Sequence, residues 1–228
     1  VLLRKFGTTS GICYSGFVGG FVNSEATTAA LAGLSKRAKE MADPVLTGIL
    51  LCNISMLIRN LVLALIVDPT GQITLSMLPV HTVIILVSIL MALRYNKKFC
   101  SIGGEELKIE SPFSLGQAFK FGTAFTLILI IGSFAYKVAG TAGIYITALG
   151  ALVSSSGVIV SVTLLAVSGN ISYITAANTA VLASIMGTVN KILISKISGS
   201  SSLFTLARNT FGIIAVIGTL ALLLWNSI

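Results

Sequence analysis

Long apolar runs constrain this chain most, because several runs of about 20 residues follow one another along it. An α-helix of that length spans about 30 Å, which is the thickness of the hydrocarbon core of a bilayer. The alternating polar and apolar pattern of a barrel strand is absent from the sequence. The fold class predicted is therefore all-α, a polytopic transmembrane helical bundle.

The composition agrees with this class and excludes others. Hydrophobic residues make up 55% of the chain, charged residues 10%, and the mean hydropathy is +0.99, far outside the soluble range. The net charge of +8 is attributed to basic cytoplasmic loops, and no basic patch interleaved with aromatics indicates a nucleic-acid partner. Cys13, Cys52 and Cys100 are too widely spaced for a metal motif and are interpreted as unpaired residues, two of them in apolar runs.

Hydropathy and turn residues divide the chain into about seven spans. Pro44 suits the first turn of a helix, residues 68–71 (DPTG) form a turn, and residues 96–111 form a polar loop. The chain begins at Val1 with what looks like the end of a preceding helix, so we expect it to be the C-terminal part of a longer protein. The predicted spans are about 11–34, 44–67, 73–95, 112–138, 141–167, 173–197 and 203–225.

The distribution of basic residues gives an orientation. The richer side carries Lys36, Arg37, Lys39, Arg94, Lys97, Lys98 and Lys108, and the other carries Arg4, Lys5, Lys137, Lys196 and Arg208, with Lys191 able to snorkel toward it. The richer side is predicted to be cytoplasmic, by a small margin. This predicts a multi-pass protein of the plasma membrane with a cytoplasmic C-terminus.

An internal repeat is predicted between residues 1–95 and 132–226, whose helical parts are 11–95 and 142–226. A shift of 131 residues places Asn23 on Ser154 and Ser24 on Ser155, and polar positions fall on polar positions without gaps. The offset covers four spans, so both copies have the same orientation, unlike inverted repeats. We expect one transmembrane domain over 1–228, with the copies joined by the polar loop and one helix.

The first span carries polar residues at its centre. Gly16, Gly20, Asn23 and Thr27 share one helical stripe, which is typical of close helix packing. Glu25 lies roughly opposite and is the only acidic residue within any predicted span. Ionisable groups at this depth normally face a partner, a bundle interior or a water-filled cavity.

Arg59 on the second span is a candidate counter-charge for Glu25. At 1.5 Å per residue from the shared connector, Glu25 lies about 15 Å deep and Arg59 about 22 Å, a difference that an arginine side chain can cover. The pair would either orient two helices permanently or form a gated, protonatable pair on a substrate path.

The second copy offers neutral ligands at Ser154, Ser155 and Ser156, together with the basic Lys191. Either polar-centred helix could be broken, at residues 23–25 or at residues 154–156. Unwound backbone at such a break would offer carbonyl groups to an ion. The path predicted for an ion or solute comprises Asn23, Ser24, Glu25, Thr28, Asn53, Arg59, Ser154, Ser155, Ser156 and Asn190.

Enzymatic function has little support in the sequence, and we expect none. His81 with the serines at 154–156 could imitate a membrane serine protease dyad, but no oxyanion-hole signature accompanies them. His81 is interpreted instead as an interfacial residue. No phosphate loop, zinc spacing or dinucleotide fingerprint is present, so no cofactor is predicted.

Residues 19–28 (GGFVNSEATT), Ile58 with Arg59, and residues 143–145 (GIY) carry a resemblance to a known family. The chain resembles, over nearly its whole length, the C-terminal membrane domain of unknown function found behind an MgtC/SapB-type domain. The resemblance implies magnesium-related transport, or regulation as in MgtC-type proteins. It also implies a pair of aspartates where this chain has Ser154 and Ser156, a departure that argues against direct divalent-cation transport.

Two functions are therefore predicted from different classes. The first is a transporter or channel-like protein with an inorganic ion or small solute bound near the bilayer midplane between the two repeats. The second is a non-transporting scaffold or regulator whose glycine faces pack against a second copy or partner membrane subunits. Both place the protein in contact with the lipid bilayer.

Overall fold

The computed structural model of the chain describes residues 8–36, 39–96 and 115–227. Within these ranges the regular structure is entirely helical, which confirms the all-α part of the predicted class. The α-helices are α1 (Thr8–Val22), α2 (Ser24–Leu34), α3 (Ala42–Val67), α4 (Gln72–Asn96), α5 (Leu115–Ile146), α6 (Ala151–Val167), α7 (Tyr173–Ser198) and α8 (Ser201–Trp225). Short 3₁₀ helices cover Lys39–Met41 and Thr147–Gly150.

The helix ends follow from local capping. The turn predicted at residues 68–71 is present between α3 and α4, and Gly71 supplies its positive φ of 74°. Ser172 Oγ accepts a hydrogen bond from Thr175 N at 3.1 Å at the start of α7, and Ser200 Oγ accepts one from Leu203 N at 3.2 Å at the start of α8. These hydroxyls satisfy N–H groups that a helix leaves without partners in its first turn.

Five helical segments are long and apolar enough to cross a membrane, and Gly11–Val22 is a shorter apolar helix. The predicted first span is divided into α1 and α2. Gly140, with φ 58° and ψ −140°, interrupts α5 at the boundary predicted between the fourth and fifth spans. Residues 112–114 lie outside the described part, and the fourth span over the rest of 112–138 stays a prediction. The five segments are Ala42–Val67, Gln72–Tyr95, Lys137–Val167, Tyr173–Ser198 and Ser201–Trp225.

Large apolar side chains remain exposed along these helices. On α4, Leu86, Leu90 and Leu93 are 54%, 65% and 54% exposed, and their spacing places them on one helix face. Contiguous apolar surface of this kind is typical of contact with lipid or another protein. Together with the length and hydropathy of the helices, it identifies a multi-pass integral membrane protein.

The chain divides into two compact units, each with its own core. The first unit takes the described residues of 1–56, 85–112 and 189–214, and its buried residues include Ile12, Leu46 and Phe211. The second unit takes those of 57–84, 113–188 and 215–228, and its buried residues include Met77, Ile159 and Ala180.

Part of the sequence-based assignment falls on positions that the structure does not describe. Most of the polar loop over 96–111 and the start of the chain, residues 1–7, lie outside the described residues. So do Arg37 and Cys100. Of the other two cysteines, Cys13 is half-buried and Cys52 is buried, and neither forms a disulfide within the described residues.

Candidate functional site

Asn23 breaks the first polar-centred helix. Its φ and ψ of −155° and 103° are extended, and its side-chain Oδ1 accepts a hydrogen bond from Ala26 N at 2.9 Å, so α2 begins as a newly capped helix. Helical hydrogen bonding continues up to Asn23 N, which donates to Gly19 O at 2.8 Å, and begins again at Thr27 N, which donates to Asn23 O at 3.0 Å, so the break lies between these two bonds. At membrane depth such backbone is tolerated where it is buried in protein or lines a polar cavity.

Ser154 breaks the second polar-centred helix in the same way. Its φ and ψ are −159° and 109°, and its Oγ accepts a hydrogen bond from Gly157 N at 3.2 Å. The cap again joins residue i to the N–H of residue i+3. Of the two conformations that the sequence left open, both helices therefore adopt the broken one, at positions that the shift of 131 residues pairs.

Side chains at the first break leave oxygen atoms without partners. Ser24 is fully buried, and its carbonyl accepts hydrogen bonds from Thr28 Oγ1 at 2.7 Å and Cys52 Sγ at 3.5 Å. Ser24 Oγ and Glu25 Oε1 are themselves buried with no hydrogen-bond partner among the described residues. A buried oxygen without a partner costs about 1–3 kcal/mol. An ion, a proton or water at this position would remove that cost.

Close packing of α1 on α3 holds the break in place. A Cβ atom added to Gly16 would collide with the backbone carbonyl of Gly48, and one added to Gly20 would lie 2.7 Å from Cys52 O. Ser55 Oγ donates a hydrogen bond to Phe17 O at 2.6 Å across the same contact. The stripe of small residues predicted on the first span is confirmed as a packing surface.

Lys191 is a buried cation, although the sequence analysis expected its side chain to be able to snorkel toward the membrane edge. It is 1% exposed, and its Nζ donates to Met56 Sδ at 3.8 Å, so the predicted snorkelling is wrong. Met56 lies one turn after Cys52 on α3, about 6 Å along the axis. The ammonium group is therefore held against the same helix face that contacts the break at Asn23. No ion pair of Lys191 is found within the described part of the chain.

The second break repeats part of this arrangement in the second unit. Ser155 is fully buried, and its Oγ has no hydrogen-bond partner among the described residues; Ser156 is 4% exposed. Ser155 corresponds to Ser24 under the predicted repeat. A carboxylate like that of Glu25 is missing there, because the corresponding residue is Ser156.

The other residues of the predicted path are not among the side chains described at the two breaks. Asn53 is fully buried and Asn190 is 7% exposed, whereas Arg59 is half-buried, and all three make interactions of their own. Glu25 and Arg59 belong to different units, and their ion pair stays a prediction. Within the described ranges no three His, Cys, Asp or Glu side chains come together. The donor atoms at the breaks are hydroxyl and carbonyl oxygens, joined at the first break by one carboxylate.

His81 is buried in the protein, whereas the sequence analysis interpreted it as an interfacial residue. It is fully buried, and its Nε2 lies 3.0 Å from Ser184 Oγ. The residues around His81 in the sequence did not indicate that it is buried in protein. A helix face that contacts lipid and a helix face that contacts protein are both apolar, so hydropathy does not distinguish them. A polar residue on an otherwise apolar helix was the available signal.

Comparison with known proteins gives the family. A family model described as "Domain of unknown function (DUF4010)" matches residues 1–199. The chain belongs to this family. A relative from Aquifex aeolicus (strain VF5), called "Uncharacterized protein", is 27% identical to the chain over 144 residues.

The match to this relative spans 62% of each of the two chains. No solved structure matches the chain. Neither the family description nor the relative's name states a substrate or refers to MgtC/SapB-type proteins, so the relation to that group stays a prediction.

Proposed function

We propose that this DUF4010 protein moves a small ion or solute across the membrane and binds it at the break between α1 and α2. The observation that carries the proposal is the pair of buried oxygens, Ser24 Oγ and Glu25 Oε1, that have no partner among the described residues. Both stand beside the non-helical backbone of Asn23, at the centre of the first span predicted from the sequence. Broken helices with this arrangement are the usual ion and substrate sites of secondary transporters.

Each group at the break has a distinct role in this proposal. Glu25 binds a cation or carries a proton, because it is the carboxylate of the site. Ser24 contributes a neutral oxygen. Thr28, which donates to Ser24 O at 2.7 Å, orients the backbone carbonyl at the start of α2. The break at Ser154, with Ser155, is a second, uncharged binding position.

The similar break geometry also supports the proposed internal repeat. Two helices 131 residues apart are interrupted at corresponding residues by the same kind of cap. A duplicated unit would inherit such a break, whereas unrelated helices would need to acquire it twice. The parallel orientation, the plasma membrane and the cytoplasmic C-terminus remain part of this proposal.

The packing of Gly16 and Gly20 removes the main support for the alternative function as a scaffold. It rested on glycine faces that pack against partner subunits, yet Gly16 and Gly20 are occupied by α3 within the first unit. Their surface is therefore not open to another protein. We retain transport as the function that the site supports best.

Flux through reconstituted protein tests the proposal. Purified protein in liposomes is assayed with H⁺, Na⁺, K⁺, Mg²⁺ and Cl⁻ as probes, Mg²⁺ because the resemblance to MgtC/SapB-type proteins suggests it. Glu25→Gln should reduce the observed flux by about tenfold or more, because hydrogen bonds to a charged group contribute more than neutral ones.

Glu40→Gln is the matched control, since it makes the same chemical change at an exposed glutamate. It should leave the flux unchanged. Liposomes that pass none of the five ions faster than protein-free vesicles would overturn the proposal for these ions. An unaltered flux in Glu25→Gln would overturn the assignment of the site to the break between α1 and α2.

A further inference from the structure

A second buried polar cluster lies in the second unit and joins three helices. His81 on α4, Ser184 on α7 and Asn60 on α3 are all fully buried. Ser184 Oγ lies 3.0 Å from His81 Nε2, and Asn60 Nδ2 donates to Ser184 Oγ at 3.0 Å. The proposed transport site uses none of these residues.

The partner of the other ring nitrogen fixes the tautomer of His81. His81 Nδ1 lies 3.1 Å from the carbonyl oxygen of Met77. A carbonyl oxygen can only accept, so Nδ1 carries a hydrogen. In the neutral ring Nε2 is then an acceptor and must receive its hydrogen bond from the hydroxyl of Ser184.

Ser184 can satisfy His81 in both of its protonation states. With neutral His81, the hydroxyl donates to Nε2 and accepts from Asn60 Nδ2. With protonated His81, Nε2 donates instead, and the hydroxyl turns to the carbonyl of Ala180, which lies 3.1 Å away. The hydroxyl still accepts from Asn60 in this second arrangement, because a hydroxyl oxygen has two acceptor positions.

Among the described residues, the helices around the cluster provide no carboxylate that is a hydrogen-bond partner of His81. The ionisable groups of α3 are Asp43, Cys52 and Arg59; those of α4 other than His81 are Arg94 and Tyr95; those of α7 are Tyr173, Lys191 and Lys196. Helix α8 also packs here, because a Cβ on Gly218 would lie 2.8 Å from Ile84, and its ionisable residue is Arg208. Among the described residues, none of these groups is a hydrogen-bond partner of His81.

We propose that His81, Ser184 and Asn60 form a proton-binding switch, in which uptake of a proton at His81 Nε2 reverses the hydrogen bond with Ser184 and favours a more hydrated arrangement of the three helices. The proton comes from solution, and no other bond is made or broken. An imidazolium without a carboxylate is stabilised by water, so the protonated population shifts toward arrangements that admit it. Asn60 Oδ1, buried without a partner among the described residues, is a further acceptor for that water.

Nitrogen NMR on histidine tests the first half of the proposal. The chain contains one histidine, so protein labelled with ¹⁵N-histidine in lipid nanodiscs gives one pair of ring signals, and His81→Gln identifies it by its loss. We expect the Nδ1–H tautomer in the neutral ring and conversion to the doubly protonated ring on acidification. Ser184→Ala should displace the midpoint by about half a pH unit or more.

Ser195→Ala is the matched control, because Ser195 is a fully buried serine on the same helix whose Oγ has no partner among the described residues. It should leave the midpoint unchanged. An Nε2–H tautomer, a ring that stays neutral until the protein unfolds, or an equal midpoint in Ser184→Ala would each overturn the proposal.

Hydrogen exchange tests the second half without relying on a Ser184 variant. Amides in residues 77–85 and 180–188 should exchange about fivefold faster or more below the midpoint than above it, after correction for intrinsic rates. The acceleration should be absent in His81→Gln. The same acceleration in that variant would show that it does not arise from His81. Because neither experiment measures flux, their outcome is independent of the transport assay.

Discussion

Asn23 and Ser154 adopt nearly the same backbone conformation, with φ and ψ of −155° and 103° at Asn23 and −159° and 109° at Ser154. In each case the side-chain oxygen accepts a hydrogen bond from the N–H three residues later. The residue that follows, Ser24 or Ser155, is a fully buried serine whose hydroxyl lacks a partner among the described residues. Two helices are thus interrupted at their polar centres by the same local geometry, an extended residue whose side chain caps the helix that follows.

Removal of the caps should destabilise the protein. Asn23→Ala and Ser154→Ala each remove the acceptor that caps the restarted helix, and each should lower the free energy of unfolding by about 1 kcal/mol. Unfolding in mixed micelles measures the change. Asn23→Ser keeps a capping oxygen and should be close to wild type; equal losses in Asn23→Ser and Asn23→Ala would show that the cap is not the cause.

Helix ends were predictable from sequence because hydropathy and turn residues mark them locally. The predicted spans 44–67, 73–95, 173–197 and 203–225 agree within two residues with α3, α4, α7 and α8. The sequence did not decide whether the two polar-centred helices are broken, and the reason is physical. An extended Asn23 and a helical Asn23 give the same hydropathy, and the choice depends on the hydrogen bond to Ala26 N.

Burial of single polar side chains was harder to predict than the spans. The side chain of Lys191 was expected to be able to snorkel, and His81 was interpreted as interfacial, but both side chains are buried in the protein. Which face of a helix meets protein depends on the rotation of that helix against its neighbours, and polar residues lie on more than one face of these helices. The contacts of Lys191 with Met56 and of His81 with Ser184 join residues far apart in sequence, so no local pattern contains them.

A methyl group at the contact of α1 with α3 should be poorly tolerated. Gly16→Ala places a Cβ against the backbone carbonyl of Gly48 and forces the helices apart, at a cost of about 1–3 kcal/mol. Gly33→Ala is the control, since outside its own helix backbone no atom of the described residues lies within 4 Å of the added Cβ. It should be neutral or stabilising by up to about 1 kcal/mol, because alanine favours the helix. Denaturant unfolding compares them, and equal stability of the two variants would contradict the close contact.

Replacement of the buried ammonium group by an apolar side chain should stabilise the fold. Within the described part of the chain, the ammonium group of Lys191 donates a hydrogen bond to the thioether of Met56. Because burial of a charge without an ion pair is costly, Lys191→Met should raise the free energy of unfolding by about 1 kcal/mol or more.

Lys196→Met on the same helix is the control, because Lys196 is exposed and contacts the ring of Phe204 at 5.9 Å. A change within about 0.5 kcal/mol is expected there. Thermal unfolding in detergent distinguishes the two, and a Lys191→Met protein less stable than wild type would indicate a required ion pair.

Acid should weaken the turn between α3 and α4 through Asp68. This carboxylate is 1% exposed; Oδ1 accepts from Thr70 Oγ1 at 2.5 Å and Thr70 N at 3.2 Å, and Oδ2 accepts from Ile73 N at 3.1 Å. Burial raises its pKa, but these hydrogen bonds, with one from Gln72 N, outweigh burial and leave the pKa below its usual value.

The sign of the pH dependence follows from this lowered pKa. The unfolded chain binds the proton more tightly than the folded one, so the stabilisation is complete above about pH 4 and is lost as the pH falls through the folded pKa. Asp68→Asn keeps one acceptor oxygen but not the charge. It should cost about 1–2 kcal/mol at neutral pH and flatten the acid limb of the stability curve, measured by unfolding between about pH 2 and pH 7. An acid limb as steep in Asp68→Asn as in the wild type would assign the acid sensitivity to another carboxylate.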